Sequence, residues 1–169
     1  MMDVFEAIRT VLAVRQYQDT PVPETAIRRI VEAGRLTASA RNLQPWHFVV
    51  VQDRDTLRRL GALARSGPYV AQAPLAIVVA VEKTTFAVSD ASRAIQSMVL
   101  AAWADGVASN WVGFGGLTEV NAVLGIPATL DVLAILPFGY PVRPIGRGVK
   151  QRKALRAVAH RERYGQPLA

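Results

Sequence analysis

Within residues 39–44 the chain places a hydroxyl (Ser39), a guanidinium (Arg41) and two amides (Asn42 and Gln44). Pro45 follows, fixing its own φ and biasing Gln44 towards extended backbone. Next comes Phe48-Val49-Val50-Val51, an aromatic and β-branched run that reads as a buried strand. A short loop crowded with hydrogen-bonding side chains, held between a helix and a core strand, suits ligand binding. The other candidates are cations. The 169 residues hold 20 Lys and Arg against 13 Asp and Glu, and the net charge of +7 serves either solubility or an anionic ligand such as a phosphate, a nicotinamide dinucleotide or nucleic acid. Nucleic acid is the weaker option, because the basic stretch 143–163 has a single aromatic, Tyr164, just beyond its end. Cysteine is absent, which removes thiolate nucleophiles and disulfides and fits a reducing compartment. His47 and His160 are the only imidazoles, and no metal-ligand spacing surrounds them. No Ser/His/Asp set and no pair of catalytic carboxylates stands out.

These groups need elements to hold them. The length suggests a single domain over residues 1–169. Half the residues are hydrophobic but only 7% are aromatic, so the core is built largely from Ala, Val, Leu and Ile. Residues 3–14 have the apolar spacing of a helix, with Val4, Phe5, Ile8, Val11 and Leu12 on one face. A second helix starts at Pro23-Glu24 and runs to 37, with Ile27, Ile30, Val31 and Gly34 inward. A strand over 46–52 follows, and Asp53 caps a helix ending near Ala64. Residues 74–81 form a continuous apolar run, hence a strand buried on both faces. His47 alternates with Trp46 and reads as a satisfied structural histidine.

The longest helix is expected over 86–105. Its polar residues Ser89, Asp90, Arg93, Gln96 and Ser97 all precede an apolar stretch from Met98 to Ala104. A helix apolar all round is buried, and so short a chain has little to enclose it, so a subunit interface is expected there. Gly106 stops the helix. A strand end over 107–114, a capped helix over 118–124 ending at Gly125, a strand over 130–138 and a short helix over 153–161 complete the pattern. Residues 1–20 carry Asp3, Glu6, Arg9 and Arg15, unlike a secretory signal. The run 98–104 falls far short of the roughly 20 residues of a spanning helix. A soluble, cytoplasmic protein is the expectation.

Asn42-x-Gln44-Pro45-Trp46, preceded by Ser39 and followed by an apolar strand, resembles the signature of the FMN-dependent nitroreductase family. Four further segments fall in the order that family requires. They are Val14-Arg15-Gln16-Tyr17; Asp90, Gln96 and Ala101-Ala102 on the long helix; Ser109-x-Trp111-x-Gly113-Phe114; and Gly139-Tyr140-Pro141 ahead of Lys150-Gln151-Arg152 and Glu162-Arg163-Tyr164-Gly165. Together they span nearly the whole chain. The resemblance implies an α+β, three-layer α-β-α sandwich, with a mixed or antiparallel sheet and a long buried helix at a homodimer interface. It implies FMN as cofactor and NAD(P)H as co-substrate. The reaction would be two-electron, ping-pong reduction of a small-molecule acceptor: a nitroaromatic, a quinone or an activated alkene. Arg15, Lys150 and Arg152 look like the family's phosphate-binding cations, apt for a dianion because Arg offers a bidentate fork and Lys a point charge. Ser39, Ala40, Asn42, Gln44, Pro45, Trp111 and Gly113 look like its ring-binding residues, with Trp46 as part of the cover. The Ser39–Asn42 segment would come from the other subunit. The lack of a catalytic side-chain set agrees, since the cofactor carries the hard chemistry. The chain departs from the pattern in one place. Where the family has further basic residues and a hydroxyl ahead of Arg15, this sequence has Val11, Leu12 and Ala13, and Arg9 lies six positions earlier. Two alternatives remain open: another flavin chemistry on the same scaffold (dehalogenating or flavin-consuming), or a non-enzymatic basic binding protein.

Overall fold

The computed structural model describes residues 2–113, 116–145 and 150–168. Phe114, named above, lies outside them. Four strands, β1 (Trp46–Val51), β2 (Leu75–Glu82), β3 (Ala108–Ser109) and β4 (Leu130–Gly139), form one sheet in the order β1-β2-β4-β3, with every named pair antiparallel. Helices cover both faces, giving the expected α-β-α sandwich. On one face α2 (Glu24–Arg35) and α4 (Ala87–Ala104) bring Ile27, Ile30, Ala91, Ile95 and Met98 onto Leu75, Ile77, Val79 and Leu136. On the other, α3 (Arg54–Leu63) and α5 (Thr118–Leu124) set Leu57, Leu60 and Val120 against Ala76, Val78, Val132 and Ile135. Strand β2 alternates between the two cores, and residues 75–80 are wholly buried, which is why no polar residue interrupts its run. Gly34 lets α2 close on its neighbours, since a Cβ there would meet the Met98 side chain at 2.8 Å and Phe48 at 2.9 Å.

Several expected boundaries move. The first helix, α1 (Val4–Thr10), is capped by Asp3, whose carboxylate accepts the Glu6 N–H at 2.8 Å, but it stops at Thr10 rather than Val14. Beyond it, Ala13 bridges Ser109, and Tyr17 bridges Pro141. The β-branched Val11 and Val14 suit extended backbone, and pairing with β3 and the chain beyond β4 outweighs helical spacing. The strand expected over 107–114 is only Ala108–Ser109, with Val112 making an isolated bridge to Ile135. Helix α5 has Leu117 at its N-terminal boundary and no side-chain cap, while Gly125 ends it at φ 65° as expected. In place of a helix over 153–161 there is one 3-10 turn at Leu155–Ala157. The apolar stretch of α4 is half open in the single chain: Met98 and Ala102 are buried, but Val99, Leu100, Ala101 and Trp103 are only partly covered. No helix among the described residues is long and apolar enough to cross a membrane.

Candidate functional site

Residues 39–44 fold as a tight 3-10 turn at Ala40–Asn42. Arg41, Asn42 and Gln44 have φ of 53°, 55° and 50°. Positive φ is costly for residues with a Cβ, and three in four positions persist only where the surroundings over-determine them. Two anchors do so here. The Gln44 N–H donates to Ser39 Oγ at 2.9 Å, which draws the turn closed and takes Gln44 away from the extended backbone that Pro45 alone would favour. The Ala40 N–H donates to Asp90 Oδ2 at 3.0 Å. Asp90 sits in the first turn of α4, has no solvent exposure and also accepts from Arg93. A carboxylate there is favoured by the helix N-terminus as well. The turn thus presents Arg41, Asn42 and Gln44 outwards on a rigid base, all three exposed. Pro45 is buried, and its carbonyl accepts the Glu82 N–H at 2.9 Å, locking the turn to β2. Trp46 is only 7% exposed and stacks on Phe48 with centroids 6.5 Å apart, so it belongs to the core and not to a ligand cover. His47 is an exposed residue facing Glu82 at 3.4 Å, not an interior one.

The cationic candidates lie towards the opposite end of the sheet, Arg15 beside Tyr69 and Lys150 with Arg152 beside the end of α1. Residues 16–18 run beside 140–142: Gln18 N–H donates to Tyr140 O at 2.8 Å and Val142 N–H to Gln16 O at 3.2 Å. This holds Arg15 with its guanidinium carbon 5.9 Å from the centre of the Tyr69 ring. Lys150 Nζ donates to the carbonyl of Ile8 at 2.7 Å, on the last turn of α1. Partial burial, then the neighbouring charges of Arg152 and Arg9, lower the Lys150 pKa from the usual lysine value. Arg9 is engaged by Glu6, and Arg152 donates to the Gln151 carbonyl. Positive charge is therefore concentrated beside the end of α1, where an anion would relieve the mutual repulsion.

Between the two ends, Val112 exchanges both backbone bonds with Ile135, midway along β4. Trp111 Nε1 donates to the carbonyl of Gly113, which has φ of 78°. That positive φ favours glycine, and a Cβ on Gly113 would also press on the Leu117 side chain at 2.7 Å. Beside Trp111 lies a residue that the sequence did not single out. Asn110 is only 8% exposed, its Oδ1 accepts the Trp111 N–H, and its Nδ2 has no partner among the described residues. An amide in such a motif gives no sign of this before the fold is known.

Tyr17 supports the Arg15 segment. Its hydroxyl donates to Val14 O at 2.7 Å and lies 3.4 Å from Pro137 O. Burial, reinforced by Tyr69, raises its pKa well above the usual phenol range. Tyr17→Phe is expected to lower stability by about 1–2 kcal/mol, read from urea unfolding. The folded phenol stays protonated where the unfolded one ionises, so the wild-type contribution is complete below about pH 10 and declines as pH rises further. The phenylalanine variant should lack that alkaline decline.

The antiparallel sheet with helices on both faces, a strained polar turn at one end and cationic residues towards the other make this an α+β sandwich with a candidate ligand site. The chain belongs to the nitroreductase family, whose model matches residues 9–84 and 66–140. A Methanothermobacter thermautotrophicus protein, named provisionally as an NADH dehydrogenase/NAD(P)H nitroreductase, is 35% identical over 154 residues, which cover 86% of this chain and 81% of that protein. The Bacillus subtilis FMN reductase [NAD(P)H] is 26% identical over 97% of this chain and 75% of its own. A crystal structure from Parabacteroides distasonis, with the same provisional name as the archaeal protein, superposes with a TM-score of 0.87 at 26% identity, covering 97% of this chain and all of that one.

Proposed function

We propose that the protein is an FMN-dependent NAD(P)H oxidoreductase that reduces a small organic acceptor by two electrons, with sites shared between the subunits of a homodimer. The observation that carries this reading is the turn at 39–44. Its left-handed Arg41, Asn42 and Gln44 are pinned by Asp90 and Ser39 at the position of the family motif. Relatives named as an NAD(P)H nitroreductase and an NAD(P)H-using FMN reductase support the chemistry.

The donor set fits FMN. Arg15, Lys150 and Arg152 supply cations for a phosphate dianion. Ser39, Asn42 and Gln44 supply polar contacts to a heteroaromatic edge, Ala40 and Pro45 shape the turn that carries them, and Trp111 and Gly113 supply a backbone wall. The orphaned Asn110 Nδ2 shows an unused donor in that wall. When bound, FMN would accept hydride from NAD(P)H and pass two electrons to the acceptor; the side chains hold it, orient it and keep water from its reactive edge.

One chain does not close this site. The turn lies beside Glu82, which pairs with Leu130 at the start of β4, whereas Arg15 lies beside Ser109 and Pro141, next to Phe138 and Gly139 at its end. Ten residues of strand separate them, about 30 Å, longer than a mononucleotide. A second copy would supply the missing half. The apolar face of α1, with Val4 72% and Phe5 74% exposed, and the half-open side of α4 offer surfaces for it. In a test, the purified protein should show flavin absorption bands, or take up about one FMN per chain, and oxidise NAD(P)H when a quinone or nitroaromatic is added. A colourless protein that takes up no FMN would defeat the reading.

A further inference from the structure

We propose that Arg143 is a second anion-binding arginine of the Arg15 site, supplying the positive charge that Val11, Leu12 and Ala13 do not. The inference rests on the flavin reading above and deepens it. A surface concavity of about 310 Å³ lies between the two segments, with Leu12, Val14, Arg15, Arg143 and Ile145 in its lining. Its two walls are stitched together. Gln18 N–H bonds Tyr140 O, Gln18 Nε2 bonds Pro141 O at 2.8 Å, and Val142 N–H bonds Gln16 O. Arg143 is the next residue after the last of these bonds, so its backbone is fixed opposite Arg15.

Neither arginine has a carboxylate partner among the described residues. Some surface arginines do, such as Arg9 with Glu6 and Arg35 with Glu32, while others, such as Arg59 and Arg65, do not; what distinguishes Arg15 and Arg143 is that they line one concavity. Two guanidinium groups without carboxylate partners line one small, partly apolar concavity, and a dianion between them would gain two forks of charge-assisted hydrogen bonds. The ligand chemistry is a phosphate monoester. Within this reading it has two sources, the 5′-phosphate of FMN and the 2′-phosphate of NADPH.

Arg143→Ala and Arg143→Lys separate these sources. Arg143 is exposed, so neither change disturbs the core. If the flavin phosphate is the ligand, Arg143→Ala weakens FMN binding about tenfold or more while riboflavin binding is unchanged, and lysine restores part of the loss. If the dinucleotide is the source, the FMN to riboflavin ratio stays as in wild type and the KM for NADPH rises while that for NADH does not. Either result supports the arginine pair. Both ratios unchanged in Arg143→Ala, in a wild-type background that binds FMN, would overturn the inference and leave the flavin reading standing. A wild-type protein that takes up neither FMN nor riboflavin defeats the flavin reading and this inference with it.

Discussion

Asp90→Ala is expected to destabilise the protein by about 3 kcal/mol and to loosen the turn at 39–44. The carboxylate is fully buried and accepts from the Ala40 backbone and from Arg93. Alanine leaves the Ala40 N–H without its acceptor. The lost attraction to Arg93 counts for less, because that guanidinium is half exposed. In a chain of this length the change corresponds to roughly 10 °C in Tm. Asp90→Asn keeps an oxygen for Ala40 and should lose about half as much. The turn itself gives a second readout: Arg41 is exposed, so trypsin should cut after it much faster in the alanine variant. An Asp90→Ala protein with an unchanged melting temperature and unchanged cleavage at Arg41 would remove the anchor from the account.

Arg15→Glu carries the largest expected effect on ligand binding. With Arg15 holding the phosphate as proposed, reversing its charge should weaken FMN binding by at least about 100-fold, or some 2.7 kcal/mol. Stability should barely move, since Arg15 is exposed and its described contact is with the Tyr69 ring. Titration of flavin fluorescence reads the affinity directly, with riboflavin as a control that lacks the phosphate. An FMN affinity close to wild type would take Arg15 out of the site.

The layers of this fold were legible where one physical cause dominates. The run at 74–81 announces a strand covered on both faces, and Asp53 announces the start of α3, where it accepts the Thr56 N–H at 2.8 Å. The apolar rhythm of 24–37 likewise marks α2. Legibility fails where tertiary pairing competes with local pattern. Val11 to Val14 continue a helical spacing, yet Ser109 draws Ala13 out of it, and nothing in residues 3–14 reveals that partner. The apolar end of α4 suggested burial, but in the single chain its outer side stays half open.

The site was legible as a motif and not as a geometry. Asn42, Gln44 and Pro45 mark the turn, but left-handed backbone at Arg41, Asn42 and Gln44 is imposed by Ser39 Oγ and by an aspartate 50 residues further on. Trp46 shares the motif and points into the core, because alternation along β1 places it with Phe48. Asn110 gave no signal and Arg143 only that of a basic stretch, since their meaning depends on neighbours distant in sequence. That the turn and Arg15 lie at opposite ends of β4 is also invisible until the strands are paired.

That separation makes subunit mixing the most direct test of a site built from two chains. Asn42→Val removes the amide and puts a β-branched residue at a positive φ, disabling the turn; Arg15→Glu disables the cationic end. Each homodimer should be inactive. Unfolded together and refolded in equal amounts, half the dimers pair one chain of each kind, and each mixed dimer assembles one intact site from the sound halves, so about a quarter of wild-type FMN binding and turnover should return. Activity that stays at the sum of the two separate variants, in a mixture shown to contain mixed dimers, would contradict the shared site.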